Sequence, residues 1–175
     1  MLDQKNHIFV SSGGFVDEYD ATTGATINAH FVSGLGTAQG MALDAALNHL
    51  FVGNNFNGVA GVSEYDATTG ALLNAAFINF PGPFIPYGLT LDNHGHLFVG
   101  NATPGGPVAE YDATTGATIN SAFISGFAGS PLDVLFVASL PEPSSLLLLA
   151  AGVGGIIRRK SASRLARKQP FINPR

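Results

Sequence analysis

The sequence predicts an all-β protein assembled from repeated four-stranded units, and three observations carry that prediction. The heptapeptide Glu-Tyr-Asp-Ala-Thr-Thr-Gly occurs at Glu18–Gly24, Glu64–Gly70 and Glu110–Gly116, at a constant step of 46 residues. A second marker, Leu50-Phe51-Val52-Gly53-Asn54, returns as Leu97-Phe98-Val99-Gly100-Asn101, with weaker copies at His7–Ser11 and Val134–Ala138. Between the markers run short alternating segments rich in β-branched and aromatic residues, punctuated by 22 Gly and 10 Pro, without the three- and four-residue apolar spacing of helical repeats. A period of about 40–50 residues holding several short strands is that of propeller blades.

Each element can be placed in order. His7 to Val32 supplies three strands and lacks a first one, and Gly40 to Ile78 supplies four. In the next unit Tyr87–Leu91 is the first strand, Asp92-Asn93-His94-Gly95 a turn with Gly at the positive-φ position, and His96–Gly100 the second strand. Asn101–Pro107 is a loop, Val108–Asp112 the third strand, and Ala113-Thr114-Thr115-Gly116 closes a hairpin into the fourth, Ala117–Ile124. Ser130–Ser139 is expected to add one or two more strands, starting with a first strand of the kind the N-terminal piece lacks, so that strands at the two ends of the chain could pair. That makes about three blades, and a closed propeller needs at least about four. The expected fold is therefore an all-β partial β-propeller, an open arc of about three four-stranded blades, followed by a C-terminal hydrophobic helix. The exposed edges and faces of such an arc predict self-association or a longer parent chain. With no Cys, no disulfide staples it.

Charge divides the chain. Residues 1–157 hold all 12 Asp and Glu and one basic residue, Lys5; residues 158–175 hold the other seven basic residues and no acid, so the net charge of −4 describes neither part. Pro141-Glu142-Pro143-Ser144-Ser145 is followed by an uncharged stretch, Leu146 to Ile157, and then by Arg158-Arg159-Lys160. A breaker, an apolar segment and a cationic stop form a membrane-sorting layout. The domain boundaries that follow are 1–139 for the repeat region, 140–145 for the Pro-Glu-Pro linker, 146–157 for a transmembrane sorting helix and 158–175 for a basic cytoplasmic tail. Ser144 or Ser145 can cap that helix. From Ser144 to Ile157 it is 14 residues long, or ~21 Å against ~30 Å of hydrocarbon, which suits a transient signal better than a permanent span. Flanking cations stay on the cytoplasmic side, so the repeats are expected outside. The tail lacks the interleaved aromatics of a nucleic-acid site, and no nucleic-acid partner is expected. The opening, Met1 to His7, has no apolar core of signal-peptide length, so the chain is read as lacking its export signal or as part of a longer protein.

Pro141-Glu142-Pro143, the apolar segment and the Arg cluster resemble the PEP-CTERM sorting signal of bacterial exported proteins, over roughly Leu140 to Lys160. The resemblance implies an exosortase as partner. It assigns recognition to Pro141, Glu142 and Pro143, insertion to Leu146–Ile157, and the membrane stop to Arg158, Arg159 and Lys160. The repeat region, residues 7–138, is similar to NHL-type propeller repeats through Pro86-Tyr87-Gly88-Leu89-Thr90-Leu91-Asp92 and Gly95-His96-Leu97-Phe98-Val99. It departs from them at Asn54 and Asn101, where Asp is frequent, and in lacking an Arg before the third strand.

The candidate chemistry is sparse. Asp20, Asp66 and Asp112 recur at one blade position and offer either a carboxylate ring for Ca²⁺ or substrate, or turn chemistry in Asp-Ala-Thr-Thr-Gly. The turn reading is preferred, because a binding site would diverge between blades. Asp44 and Asp92 end first strands, where enzymatic propellers place metal carboxylates, but the set is incomplete. His94 and His96 stand two apart, with His94 in a turn and no third ligand nearby. Tyr19, Tyr65 and Tyr111, with Phe9, Phe51, Phe98 and Phe136, read as inter-blade packing, with a carbohydrate platform as the alternative. Asn101-Ala102-Thr103 fits a glycosylation pattern. No nucleophilic triad, phosphate loop or zinc spacing is present, and charged residues are 11% of the chain. The expectation is a non-enzymatic, exported surface or extracellular-matrix repeat protein. It is anchored through its C-terminal helix before processing and takes an exosortase, the membrane, and a polysaccharide or protein as partners, with no cofactor and no metal. The alternatives are an envelope-attached, metal-dependent propeller enzyme of the lactonase or lyase kind, and a truncated gene fragment.

Overall fold

The computed structural model describes residues 6–56, 59–80 and 82–138. The chain divides into two compact units, Met1–Ala138 and Ser139–Arg175, and only the first contains described residues. The linker, the apolar segment expected to be helical and the basic tail, with Pro141, Glu142, Pro143, Arg158, Arg159 and Lys160, therefore lie outside the described residues.

Among the described residues eleven strands fold into three antiparallel sheets. The first holds β1 (His7–Ser12), β2 (Phe15–Asp20) and β3 (Thr26–Val32). The second runs in order through β4 (Ala38–Asp44), β5 (His49–Phe56), β6 (Val59–Asp66) and β7 (Leu72–Asn79). The third runs through β8 (Pro86–Leu91), β9 (His96–Asn101), β10 (Val108–Asp112) and β11 (Thr118–Ile124). This is the expected all-β partial propeller of three blades, the first with three strands among the described residues. β5 is apolar without alternation because both its faces are covered, with Leu50, Phe51 and Val52 fully buried. By contrast, β9 buries Leu97 and Val99 with Phe98 half-buried between them, and β1 leaves Val10 exposed. The fourth strands are solvated over their first half and buried only where they reach the next sheet, at Phe31-Val32 and Phe77-Ile78.

Contacts between sheets pass from β1 to β4, and from β4, β5 and β6 to β8. Two apolar clusters fill the interfaces. One joins Phe9, Val16, Phe31 and Val32 to Leu50 and Tyr65; the other joins Phe51, Phe77 and Ile78 to Leu97, Tyr111 and Ala113. Within each sheet the same tilted ring pair joins the second strand to the fourth: Phe9 with Phe31 at 5.2 Å, Phe51 with Phe77 at 5.0 Å and Phe98 with Phe123 at 5.1 Å. The pairing of third and fourth strands shifts register at the same place in every sheet, around Glu18/Asn28, Glu64/Asn74 and Glu110/Asn120. Such bulges add residues to one strand, increase local twist and turn the fourth strand towards its neighbour.

Residues 131–138 correct the sequence reading. They form no strand, and the Val134–Ala138 copy of the second-strand marker does not occupy a second-strand place. The segment instead lies beside β8. A Cβ on Gly88 would come 2.6 Å from the Val134 nitrogen, and the Phe136 N–H donates to Thr90 Oγ1 at 3.2 Å. β8 lies in the same way beside β4, where a Cβ on Gly40 would overlap the Tyr87 carbonyl. The segment thus takes the place of a first strand, as expected for the start of Ser130–Ser139, although it forms no strand. With no hairpin partner of its own among the described residues, it leaves Leu132, Leu135 and Val137 exposed.

Candidate functional site

The three Asp-Ala-Thr-Thr-Gly turns are superposable in their bonding. In the first, Asp20 Oδ1 accepts the Thr22 N–H at 2.9 Å, the Thr23 N–H at 2.7 Å and the Thr23 hydroxyl at 2.9 Å. Asp66 repeats this with Thr68 and Thr69 at 2.9, 2.7 and 2.9 Å, and Asp112 with Thr114 and Thr115 at 3.0, 2.8 and 2.8 Å. Gly24, Gly70 and Gly116 each sit at φ +71° and return an N–H to the Asp carbonyl. These donors hold all three carboxyls below the ordinary carboxylate range. The leading cause is the Thr23 N–H at Asp20, and the Thr69 and Thr115 hydroxyls at Asp66 and Asp112. One oxygen of each carboxylate is thus committed to its own turn, which is the chemistry of an Asx-type turn and not of an open cation ring.

The first hairpins use the same device. Asp44 Oδ1 accepts from the Ala46 and Leu47 N–H groups at 2.9 and 3.0 Å. Asp92 Oδ1 accepts from the His94 and His96 N–H groups at 2.7 and 2.9 Å, and its Oδ2 meets His96 Nδ1 at 2.9 Å. At Asp92 burial acts to raise the carboxyl, and the His96 and His94 N–H groups with the His96 ring outweigh it, so the group is lowered. A groove of about 450 Å³ separates the two hairpins, lined by Asp44, Ala45, Asp92 and Asn93 among others. His94 lies in the turn and is exposed, while His96 opens β9. Among the described residues no group of three or more His, Asp or Glu is placed to hold a metal ion.

Sequence reading missed one repeated feature. Each sheet pairs a His that opens the second strand with a Glu on the third: His7 Nδ1 to Glu18 Oε1 at 2.8 Å, His49 Nδ1 to Glu64 Oε1 at 2.8 Å, and His96 Nδ1 to Glu110 Oε1 at 3.4 Å. The pattern was present in the primary structure, since His precedes each Ile/Leu-Phe-Val marker and Glu opens each heptapeptide. It became visible only when β1–β2, β5–β6 and β9–β10 set the two side by side. The glutamates are largely buried and the histidines partly so.

Two other sequence candidates are structural. Asn54 is buried, and its Nδ2 donates to Ser63 Oγ at 2.7 Å, which donates on to the Ala75 carbonyl at 2.8 Å. The buried Asn101 accepts from the Ile85 and Thr103 N–H groups at 3.1 and 3.2 Å, so the amide of the glycosylation pattern is enclosed in the fold. These amides replace the Asp common in similar repeats with a neutral group able to donate and accept at once. Tyr65 and Tyr111 are buried in the sheet interfaces, and burial pushes the Tyr65 phenol up and that of Tyr111 up to about 12. Tyr19, the first copy, is only half-buried.

Comparison with known structures agrees with this architecture: the neighbours are β-propeller proteins. The chain superposes on a chain of a nidogen/laminin complex with a TM-score of 0.60 at 14% identity, covering 78% of this chain and 51% of that one. Against Sqt1 of Saccharomyces cerevisiae the TM-score is 0.54 at 16% identity, with 79% and 35% covered. Against the gluconolactonase XC5397 of Xanthomonas campestris it is 0.52 at 16% identity, with 70% and 38% covered. The chain thus spans about a third to a half of each neighbour. At these identities the likeness is one of fold. A comparison with curated proteins returns no match.

Fold and repeat together define a propeller-type repeat protein whose turns are built by copied Asp and Gly residues. Residues 139–161 match the PEP-CTERM protein-sorting motif, which implies export, processing by an exosortase and sorting to the cell surface.

Proposed function

We propose that this chain is a non-enzymatic repeat protein displayed at the bacterial surface or in the extracellular matrix. Its terminal segment is held in the membrane through residues 146–157 until an exosortase acts at or near Pro141-Glu142-Pro143. The observation that carries the reading is the sorting-motif match at residues 139–161, which coincides with the apolar stretch and the Arg158-Arg159-Lys160 stop. The repeats support a scaffolding role. Their copied carboxylates are bonded to their own turns, and their histidines face glutamates. Both arrangements hold hairpins and strand pairs together, and a polysaccharide or protein would then be met by the outer surface of the blades. Among the described residues no helix is long and apolar enough to cross a membrane. The anchoring role is assigned to residues 146–157 on hydropathy and on the cationic stop.

The test is to follow the chain, fused behind a cleavable secretory signal peptide, in an exosortase-bearing host and in the same host without the exosortase. In the first, surface material should end near Pro141–Pro143 by mass spectrometry, without residues 146–175. In the second, the intact chain should accumulate in the membrane fraction. Intact chain found in the cytosol of both strains would refute the assignment.

A further inference from the structure

The two interfaces between sheets are one interface used twice. Phe31 and Val32, 6% and 2% exposed, pack in a cluster with Leu50, Tyr65 and Ala67. One repeat later Phe77 and Ile78, 7% and 4% exposed, pack with Leu97, Tyr111 and Ala113. In both, the turn glycine of the following sheet closes on the preceding Phe: a Cβ on Gly70 would overlap the Phe31 carbonyl oxygen, and one on Gly116 the Phe77 carbonyl oxygen.

A third copy of each half exists, at opposite ends of the stack. Phe123 and Ile124 at the end of β11 are 48% and 45% exposed. Tyr19 and Ala21 in the first sheet are half-buried where their repeats are buried. Gly24 has the same φ of +71° as Gly70 and Gly116, yet nothing lies within 4 Å of the place where its Cβ would stand. Beside β11 an apolar hollow of about 170 Å³ is bounded by Phe98, Phe123, Ile124 and the segment Val134–Phe136.

We propose that these two ends pair between molecules. The first sheet of a second copy docks on the third sheet of the first, Gly24 closing on the Phe123 carbonyl, so that the chain associates head to tail through a third use of its own inter-sheet interface. A second copy is the occupant because its first sheet presents the turn, the tyrosine and the glycine that already cover Phe31 and Phe77 within the chain. The contact is heterologous, since two different faces meet. Segment 131–138, already seated beside β8 where a first strand belongs, extends the receiving face.

The full 175-residue chain is studied in a mild non-ionic detergent that shields residues 146–157, by analytical ultracentrifugation across a wide concentration range. The wild type should associate reversibly. Phe123→Glu and Ala21→Glu should each weaken association by roughly tenfold or more, since each puts a charge into an apolar contact, with circular dichroism unchanged. Mixing the two variants should restore a heterodimer, because one keeps the first-sheet face and the other keeps the β11 face. Tyr19→Asp tests the same face if Ala21→Glu does not fold. A wild type that stays monomeric overturns the proposal. So does association that these variants leave unchanged, which would place the contact in the apolar segment or elsewhere.

Discussion

Gly116 and Gly24 have the same sequence neighbourhood, the same φ of +71° and the same hydrogen bond to an Asp carbonyl, and they differ only in what lies beyond the turn. Replacing either with Ala moves an L-residue into the left-handed region, at a cost of about 1–2 kcal/mol. The stiffer unfolded chain offsets about 0.4–1 kcal/mol of that. At Gly24 nothing further is lost within one molecule, so Gly24→Ala should cost about 1 kcal/mol. At Gly116 the new methyl falls on the Phe77 carbonyl oxygen, and the third sheet must move away from β7. Forcing an added methylene into a packed contact costs about 1–3 kcal/mol, which brings Gly116→Ala to about 2–4 kcal/mol. The assay is urea unfolding followed by circular dichroism, with both variants made in a Phe123→Glu background so that association does not enter. Equal losses for the two substitutions would refute the inter-sheet role of the turn glycine and leave it a hairpin residue only.

Two further outcomes follow from the bonding. Asp20, Asp66 and Asp112 are held below their ordinary value in the folded state, so the stability they supply is complete above about pH 4 and is lost as the pH falls through their lowered values. The melting temperature should be insensitive to these groups near neutrality and decline in acid. The triple Asp→Asn variant, which keeps an accepting oxygen but cannot titrate, should flatten that acid limb, and an unchanged acid slope would contradict the assignment. Ser63→Ala removes the hydroxyl between Asn54 and the Ala75 carbonyl in a buried site, and should cost about 1–3 kcal/mol in urea unfolding. A loss below about 0.5 kcal/mol would mean that the amide finds another partner.

Much of the fold was legible because the repeat states it three times. The 46-residue step, the Phe-Val markers and the Asp-to-Gly turns placed each strand of the third sheet, and the outer limits of the second, to within about two residues of their observed bounds. The turn reading of Asp20, Asp66 and Asp112 was also legible, since Thr donors two and three residues later are local in the chain. What was not legible depended on neighbours far apart in sequence. Ser130–Ser139 reads as opening with a first strand and Val134–Ala138 as a second strand from its letters; contact with Gly88 and Thr90 puts the segment in the first-strand place alone. The His–Glu pairs were hidden because His7 and Glu18, or His49 and Glu64, meet only across a strand pair. The bulges at Glu18, Glu64 and Glu110 leave no mark in composition.

Sequence alone determined the strands of the second and third sheets, the turn chemistry, the division of charge and the sorting segment. Each depends on periodicity, on bonds within a few residues, or on transfer of a side chain between water and lipid. Tertiary structure alone decided which copies of one repeated residue are buried. Phe31, Phe77 and Phe123 are the same letter at the same step, and their exposures of 6%, 7% and 48% differ because burial belongs to the sheet that comes next and not to the residue itself.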